Sequence, residues 1–181
     1  MMKVLLTCLL FISLQLTAQT YRPVDSASKV HFVIKNFGIN TGGDFSKLQG
    51  NIIFSPENLA DAKFDVSVAA STVDTDNSMR DKSLVGDEYF NAEKYPLITL
   101  ISTKVEKTNK TGSGFYYFTG NLTIKGITKT ISFPFQAQEE NNGYLFTGNF
   151  QINRTDFGVG EQNLVLSNLV NVTLSVFAKK S

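Results

Sequence analysis

Apolar and polar residues alternate one by one along most of this chain, and that pattern restricts the fold more than any other feature. A period of two places successive side chains on opposite faces of an extended strand. Val30, Phe32 and Ile34 share one face of a first strand, with His31, Val33 and Lys35 on the other. Leu48, Gly50, Ile52 and Phe54 form the next set, followed by Phe64, Val66, Val68 and Ala70. Tyr116, Phe118, Leu122 and Ile124 come next, then Ile131, Phe133 and Phe135. Tyr144, Phe146, Phe150 and Ile152 precede a last set of Val170, Val172, Leu174 and Val176. Residues 97–103 also read as a strand, without a clear apolar face.

About eight strands with almost no helix between them predict an all-β chain. Each strand has one face to bury, and a sheet that closes on itself buries it and removes exposed edges. An antiparallel β-barrel follows. Gly42-Gly43, Asn109 to Gly114 and Asn141-Asn142-Gly143 are the expected turns. Pro134 has no amide to donate and belongs at a bulge or an edge. One region departs from the alternation. Residues 76–84 read as a short helix, with Asp76 or Asn77 as N-cap and Gly86 as stop. Met79 and Leu84 are its apolar contacts. The insertion continues to Pro96, and long connections in compact domains are often functional.

Residues 1–18 read as a cleaved secretory signal peptide, leaving 19–181 as a single barrel domain. Lys3 supplies the positive start, Val4 to Leu16 the apolar run, and Leu16-Thr17-Ala18 the small residues before a cut at Gln19. The run is shorter than the ~20 residues a membrane-spanning helix needs, so no stable membrane insertion is expected. A periplasmic or secreted location follows. The one cysteine, Cys8, lies in this leader, so the mature chain has no disulfide, thiolate nucleophile or cysteine metal ligand. A net charge of +1 gives no reason to expect nucleic acid as a partner.

No catalytic constellation is present, and no enzyme activity is expected. His31 is the only histidine and sits on a polar strand face without convergent partners. Asp74, Asp76, Asp81, Asp87 and Glu88 cluster, but without the alternating spacing around a glycine turn that a calcium loop needs. No metal or cofactor is therefore expected. Lys125 and Lys129 read as solvated turn charges. Arg80 with Asp81, and Arg154 with Asp156, allow two readings. They pair with each other or with backbone carbonyls, or a guanidinium meets a ligand's head group at the barrel mouth.

Several blocks, in order, carry a resemblance. They are Arg80-Asp81-Lys82-Ser83-Leu84, then Tyr89 to Thr99 with its Tyr95-Pro96-Leu97-Ile98-Thr99 end. Gly120-Asn121-Leu122-Thr123-Ile124-Lys125-Gly126 and Asn153-Arg154-Thr155-Asp156-Phe157-Gly158 complete the set. Over roughly residues 21–178 the chain resembles the YceI-like family, whose members fold as lipocalin-like antiparallel barrels holding an isoprenoid lipid. The resemblance implies a cavity that holds a polyprenyl chain or isoprenoid quinone for transport, storage or sequestration. Alternation then nominates the cavity wall. It comprises Phe32, Ile34, Phe54, Phe64 and Val66; Val68, Phe118, Leu122, Ile131 and Phe133; and Phe135, Phe146, Phe150, Val172 and Leu174. Arg80, Asp81, Arg154 and Asp156 are candidates for the mouth. The long-chain isoprenoid is the expected partner, and a second copy of the chain, in a homodimer, is a further candidate.

The chain departs from the family where histidine is usual, at Asn36 and Ser83, and again at Thr41 and Leu100. An eight-stranded barrel can also be filled by its own side chains. The fifteen phenylalanines serve either outcome. The alternative is thus a stress-response or interaction module with a solid core, acting through its surface.

Overall fold

The alternating segments become ten strands in a computed structural model, which describes residues 19–108 and 114–181. The proposed leader and most of the expected turn at 109–114 lie outside the described residues. In chain order the strands are β1 (Thr20–Pro23), β2 (Lys29–Asn36), β3 (Ile39–Phe45), β4 (Gln49–Ile53) and β5 (Lys63–Ala69). After one helix, α1 (Ser78–Val85), come β6 (Leu97–Lys107), β7 (Phe115–Ile124), β8 (Ile127–Glu140), β9 (Gly143–Asn153) and β10 (Leu166–Lys180). Every pairing is antiparallel. The ring runs β1-β4-β5-β6-β7-β8-β9-β10 and closes because β1 pairs back onto the end of β10. The β2–β3 hairpin adds two further strands along the first half of β10. The fold is a closed eight-stranded antiparallel barrel with two extra strands and a short helix, the lipocalin-like architecture expected.

The expected apolar faces point inward. Phe54, Ile52 and Phe118 are at most 2 % exposed, and Leu122, Phe133, Phe135, Phe146 and Val68 are also buried. Residues 97–103 lacked a clear face for a physical reason. A register shift between Ser102 and Lys104 reverses the alternation, so Ile98 and Leu100 face inward on one side of it and Val105 on the other. A bulge of this kind bends a strand and re-aims its side chains.

Several expectations need correction. The turn between β2 and β3 is Phe37-Gly38, both at positive φ, and not Gly42-Gly43, which lie within β3. Those glycines serve close packing: a Cβ on Gly43 would stand 2.6 Å from Cζ of Phe32 and 2.7 Å from Cγ2 of Thr75. Met79 does not pack under α1; it is 79 % exposed, while Leu84 faces the barrel interior. Lys125 is no free turn charge, since its Nζ donates to the carbonyls of Glu88 (3.0 Å) and Gly158 (2.8 Å). It ties the helical insertion to the turn after β9. The helix itself starts as expected, with Asn77 Oδ1 accepting from the amide of Arg80 at 3.0 Å, and ends at Gly86.

Pro134 marks a change in the wall. β8 pairs with β7 from Ile127 to Gln136, but with β9 only from Phe135 onward. Below that point the two strands diverge. Phe157 and Val159, from the turn after β9, pack there with Ile131, Phe150 and Ile152.

Candidate functional site

The barrel interior has two unlike ends. At one, the phenyl rings interlock. Phe54 is the centre, with ring centroids 5.2 Å from Tyr116 and Tyr144 and 5.3 Å from Phe146. Phe64 and Phe135 close the group at 6.2 and 6.4 Å, almost all in edge-to-face arrangement. Phe118 stacks on Phe133, and Phe133 on Phe150. Burial raises the tyrosine hydroxyls at this end, with nearby Glu139 and Glu57 adding to the effect at Tyr21 and Tyr144; Tyr144 is pushed up to about 12. At the other end the interior is hollow, a chamber of about 450 Å³. That is a size used for small-molecule ligands.

Side-chain size along each strand produces the difference. β5 places Phe64 in the filled end and Val66 and Val68 on the chamber. β7 runs from Tyr116 and Phe118 to Leu122 and Ile124. Eight of the nominated wall residues line the chamber: Phe32, Ile34, Val66, Val68, Leu122, Phe150, Val172 and Leu174. Phe54, Phe64, Phe118, Phe133, Phe135 and Phe146 do not; their rings fill the barrel instead. Ile131 packs between the two ends. Alternation reports whether a side chain points inward, but not its height along the axis.

One margin of the chamber is polar. Asn36 and Thr41 from the β2–β3 hairpin meet Thr75, Arg80 and Ser83 from the insertion. Arg80 donates from Nε to Thr75 Oγ1 (2.7 Å) and from Nη2 to the Thr75 carbonyl (2.6 Å). Asp81 does not reach the chamber; its carboxylate accepts from the amide and hydroxyl of Thr75. Beyond this margin lies a polar recess, which shares His31, Thr41, Thr75 and Arg80 with the chamber and adds Asp44, Asp74 and Asp76. His31 Nδ1 and Asp44 Oδ1 stand 2.7 Å apart. Among the described residues no set of three or more His, Asp or Glu converges as a metal site.

Arg154 is a different arginine. It is 4 % exposed and lies against the chamber. Its guanidinium donates to the carbonyls of Ser167 (3.0 Å), Val159 (2.7 Å) and Glu161 (2.8 Å) and to Asn168 Oδ1 (3.1 Å). Burial holds it below its ordinary value, with Tyr89 acting in the opposite direction. It thereby fastens the turn after β9 to the start of β10. Asp156 is exposed on that turn and does not line the chamber.

The nominated wall omitted several lining residues. Ile98 and Leu100 lie beyond the reach of simple alternation because of the β6 bulge. Leu84, Tyr89 and Phe90 come from the insertion, where no periodicity applies. The four departures singled out in the sequence, Asn36, Thr41, Ser83 and Leu100, all line the chamber. That concentration was a usable signal.

Comparison with known proteins bears on this arrangement. A UPF0312 protein of Yersinia pestis (strain Pestoides F) is 33% identical over 154 residues, spanning 81% of this chain and 78% of that protein. The crystal structure of Burkholderia cenocepacia BcnA superposes with a TM-score of 0.80 at 25% identity, covering 87% of this chain and 99% of that one. A polyisoprenoid binding domain from Saccharophagus degradans, implicated in plant cell wall breakdown, shares the fold with a TM-score of 0.72. It is 16% identical and covers 90% of this chain and 99% of its own. The model of the YceI-like domain matches residues 21–178, nearly the whole barrel, and the chain belongs to that family.

Proposed function

We propose that this protein binds a long apolar molecule, a polyprenyl lipid or isoprenoid quinone, and carries, stores or sequesters it outside the cytoplasm. The observation that supports this reading is the chamber itself: a partly open space walled mostly by valine, leucine, isoleucine and phenylalanine inside an otherwise packed barrel. The mechanism is desolvation. Each methylene moved from water to such a wall contributes ~0.8 kcal/mol. A forty-carbon chain would nominally exceed the roughly 20 kcal/mol ceiling of non-covalent binding. Ordering the flexible chain offsets much of that gain. The filled aromatic end acts as a floor, so ligand length is limited by how much chain the chamber and its margin accept. The protein works by binding rather than by catalysis. The leader-like pattern read at 1–18 and the polyisoprenoid-binding neighbour support a lipid-handling role beyond the cytoplasmic membrane.

The test is direct. Organic extraction of purified protein, followed by mass spectrometry, is expected to release an isoprenoid in near-stoichiometric amount. Recovery of empty protein that also takes up no prenol on incubation would refute the reading and favour a surface-acting module.

A further inference from the structure

We propose that apolar tips beside the chamber opening dock this protein on a lipid bilayer, so that a ligand passes between membrane and barrel without crossing water. The proposal rests on the chamber holding a lipid, and it names the surface from which that lipid is loaded.

The opening lies at the polar margin. Rings fill the opposite end, and among the described lining residues only Ser83 is exposed. Lining residues of this margin lead directly into exposed apolar side chains. Asn36 is followed by Phe37 and pairs with Ile39, which are 74 % and 71 % exposed. Leu166 lines the chamber and follows Leu164 and Val165, of which Leu164 is fully exposed. Met79 precedes Arg80 and lies one turn from Ser83 on α1.

Hydrogen bonds hold these tips in place. The Phe37 amide donates to the Val165 carbonyl at 2.9 Å and joins the two turns. Asn163 Oδ1 accepts from the amides of Val165 (3.0 Å) and Leu166 (2.6 Å), which fixes the turn that presents Leu164. Phe37 has a φ of 49°, in the left-handed region where a bulky side chain is disfavoured and asparagine or glycine is usual. The backbone accepts that strain although the exposed ring gains little packing in return.

Size and charge select the occupant. A few side chains on projecting turns present on the order of a few hundred Å². That falls short of the ~800 Å² each partner buries in a stable protein complex. A bilayer needs no matching shape, and binding to it scales with the apolar area inserted. Residues 35–39 and 161–166 carry one cation, Lys35, and one anion, Glu161, so attraction to anionic lipid contributes little.

The chain has no tryptophan, so Phe37→Trp supplies a single reporter. With phosphatidylcholine vesicles its emission is expected to shift to the blue and to be quenched by brominated acyl chains, equally at low and high salt. A double variant, Ile39→Asp with Leu164→Asp, is expected to lower vesicle binding at least about tenfold. Transfer of a fluorescent prenyl analogue from vesicles is then expected to slow, while its uptake from dilute aqueous solution stays unchanged. Phe37→Asn is expected to weaken vesicle binding without lowering the melting midpoint, because asparagine suits the positive φ; a purely structural Phe37 would show the reverse. Tyr117→Ser removes an exposed ring beside the filled end and is expected to change nothing. Absence of vesicle binding by the native protein, binding retained by the aspartate variant, or an equal loss with Y117S overturns the proposal and leaves the lipid chamber standing. A dimer that the aspartates dissociate, without vesicle binding, overturns it in favour of a second copy of the chain. Vesicle binding by a protein that takes up no prenol keeps the docking surface and refutes the lipid cargo instead.

Discussion

The filled and hollow ends of the barrel are built by the same strands with the same alternation, yet one is a core and the other a container. The distinction lies in the residues chosen. Three phenylalanines and two tyrosines cluster around Phe54, where edge-to-face rings leave no space. A few residues on along each strand, valine, leucine and isoleucine stop short of one another across the barrel. The aromatic end therefore bears the stability of the fold. The aliphatic end is released from that duty and can remain open. A barrel of this size can bind a ligand only if one part of it overcompensates for the packing that the other part forgoes.

The strongest way to break this comparison is to remove bulk from each end. Phe54→Ala should cost ~3–5 kcal/mol, because it opens a void in a closed packing. Leu174→Ala on the chamber wall should cost about 1 kcal/mol, since its side chain already borders empty space. Denaturant midpoints measure both, and equal losses would abolish the distinction. The next test adds bulk. Val66→Phe should change stability by less than ~1 kcal/mol while sharply reducing uptake of a fluorescent prenyl analogue. Ala137→Phe, in the filled end, should overpack it and cost ~1–3 kcal/mol. A V66F protein as unstable as A137F would mean that the chamber is not free space.

The smallest effect at neutral pH comes from the tyrosines. Burial raises Tyr144 to about 12, above its ordinary value of 10.0, so the folded state holds the phenolic proton more tightly than the unfolded chain does. That contribution is complete below pH 10 and is lost as pH climbs toward 12. Tyr144→Phe should flatten this alkaline decline in melting midpoint. An unchanged decline would place its origin elsewhere.

Much of the barrel was legible because a closed sheet imposes a period of two on every strand. The inward faces of β5, β7, β9 and β10 were read correctly from residues such as Phe64, Phe118, Phe146 and Val176. The β3 strand was not, because Gly42 and Gly43 imitate a turn while making room for His31 and Phe32. For the chamber, eight of the fifteen residues that alternation nominates line it, whereas six of the phenylalanines among them fill the other end. Height along the axis is a product of strand stagger, and no local pattern encodes it. The polar margin was partly legible: Arg80 was singled out from its block, whereas its grip on Thr75 depends on the fold of the insertion.

The divergence of β8 and β9 at Pro134 has a mechanical consequence. Around most of the circumference, parting the wall requires a row of backbone hydrogen bonds to break together. Between residues 127–134 of β8 and residues 149–153 of β9, no ladder joins the strands. The closure there is a wedge of side chains from Phe150, Phe157 and Val159, anchored by a single buried arginine. Such a seam yields by sliding rather than by tearing, so the barrel can widen along this line while the ladders on either side of it stay intact.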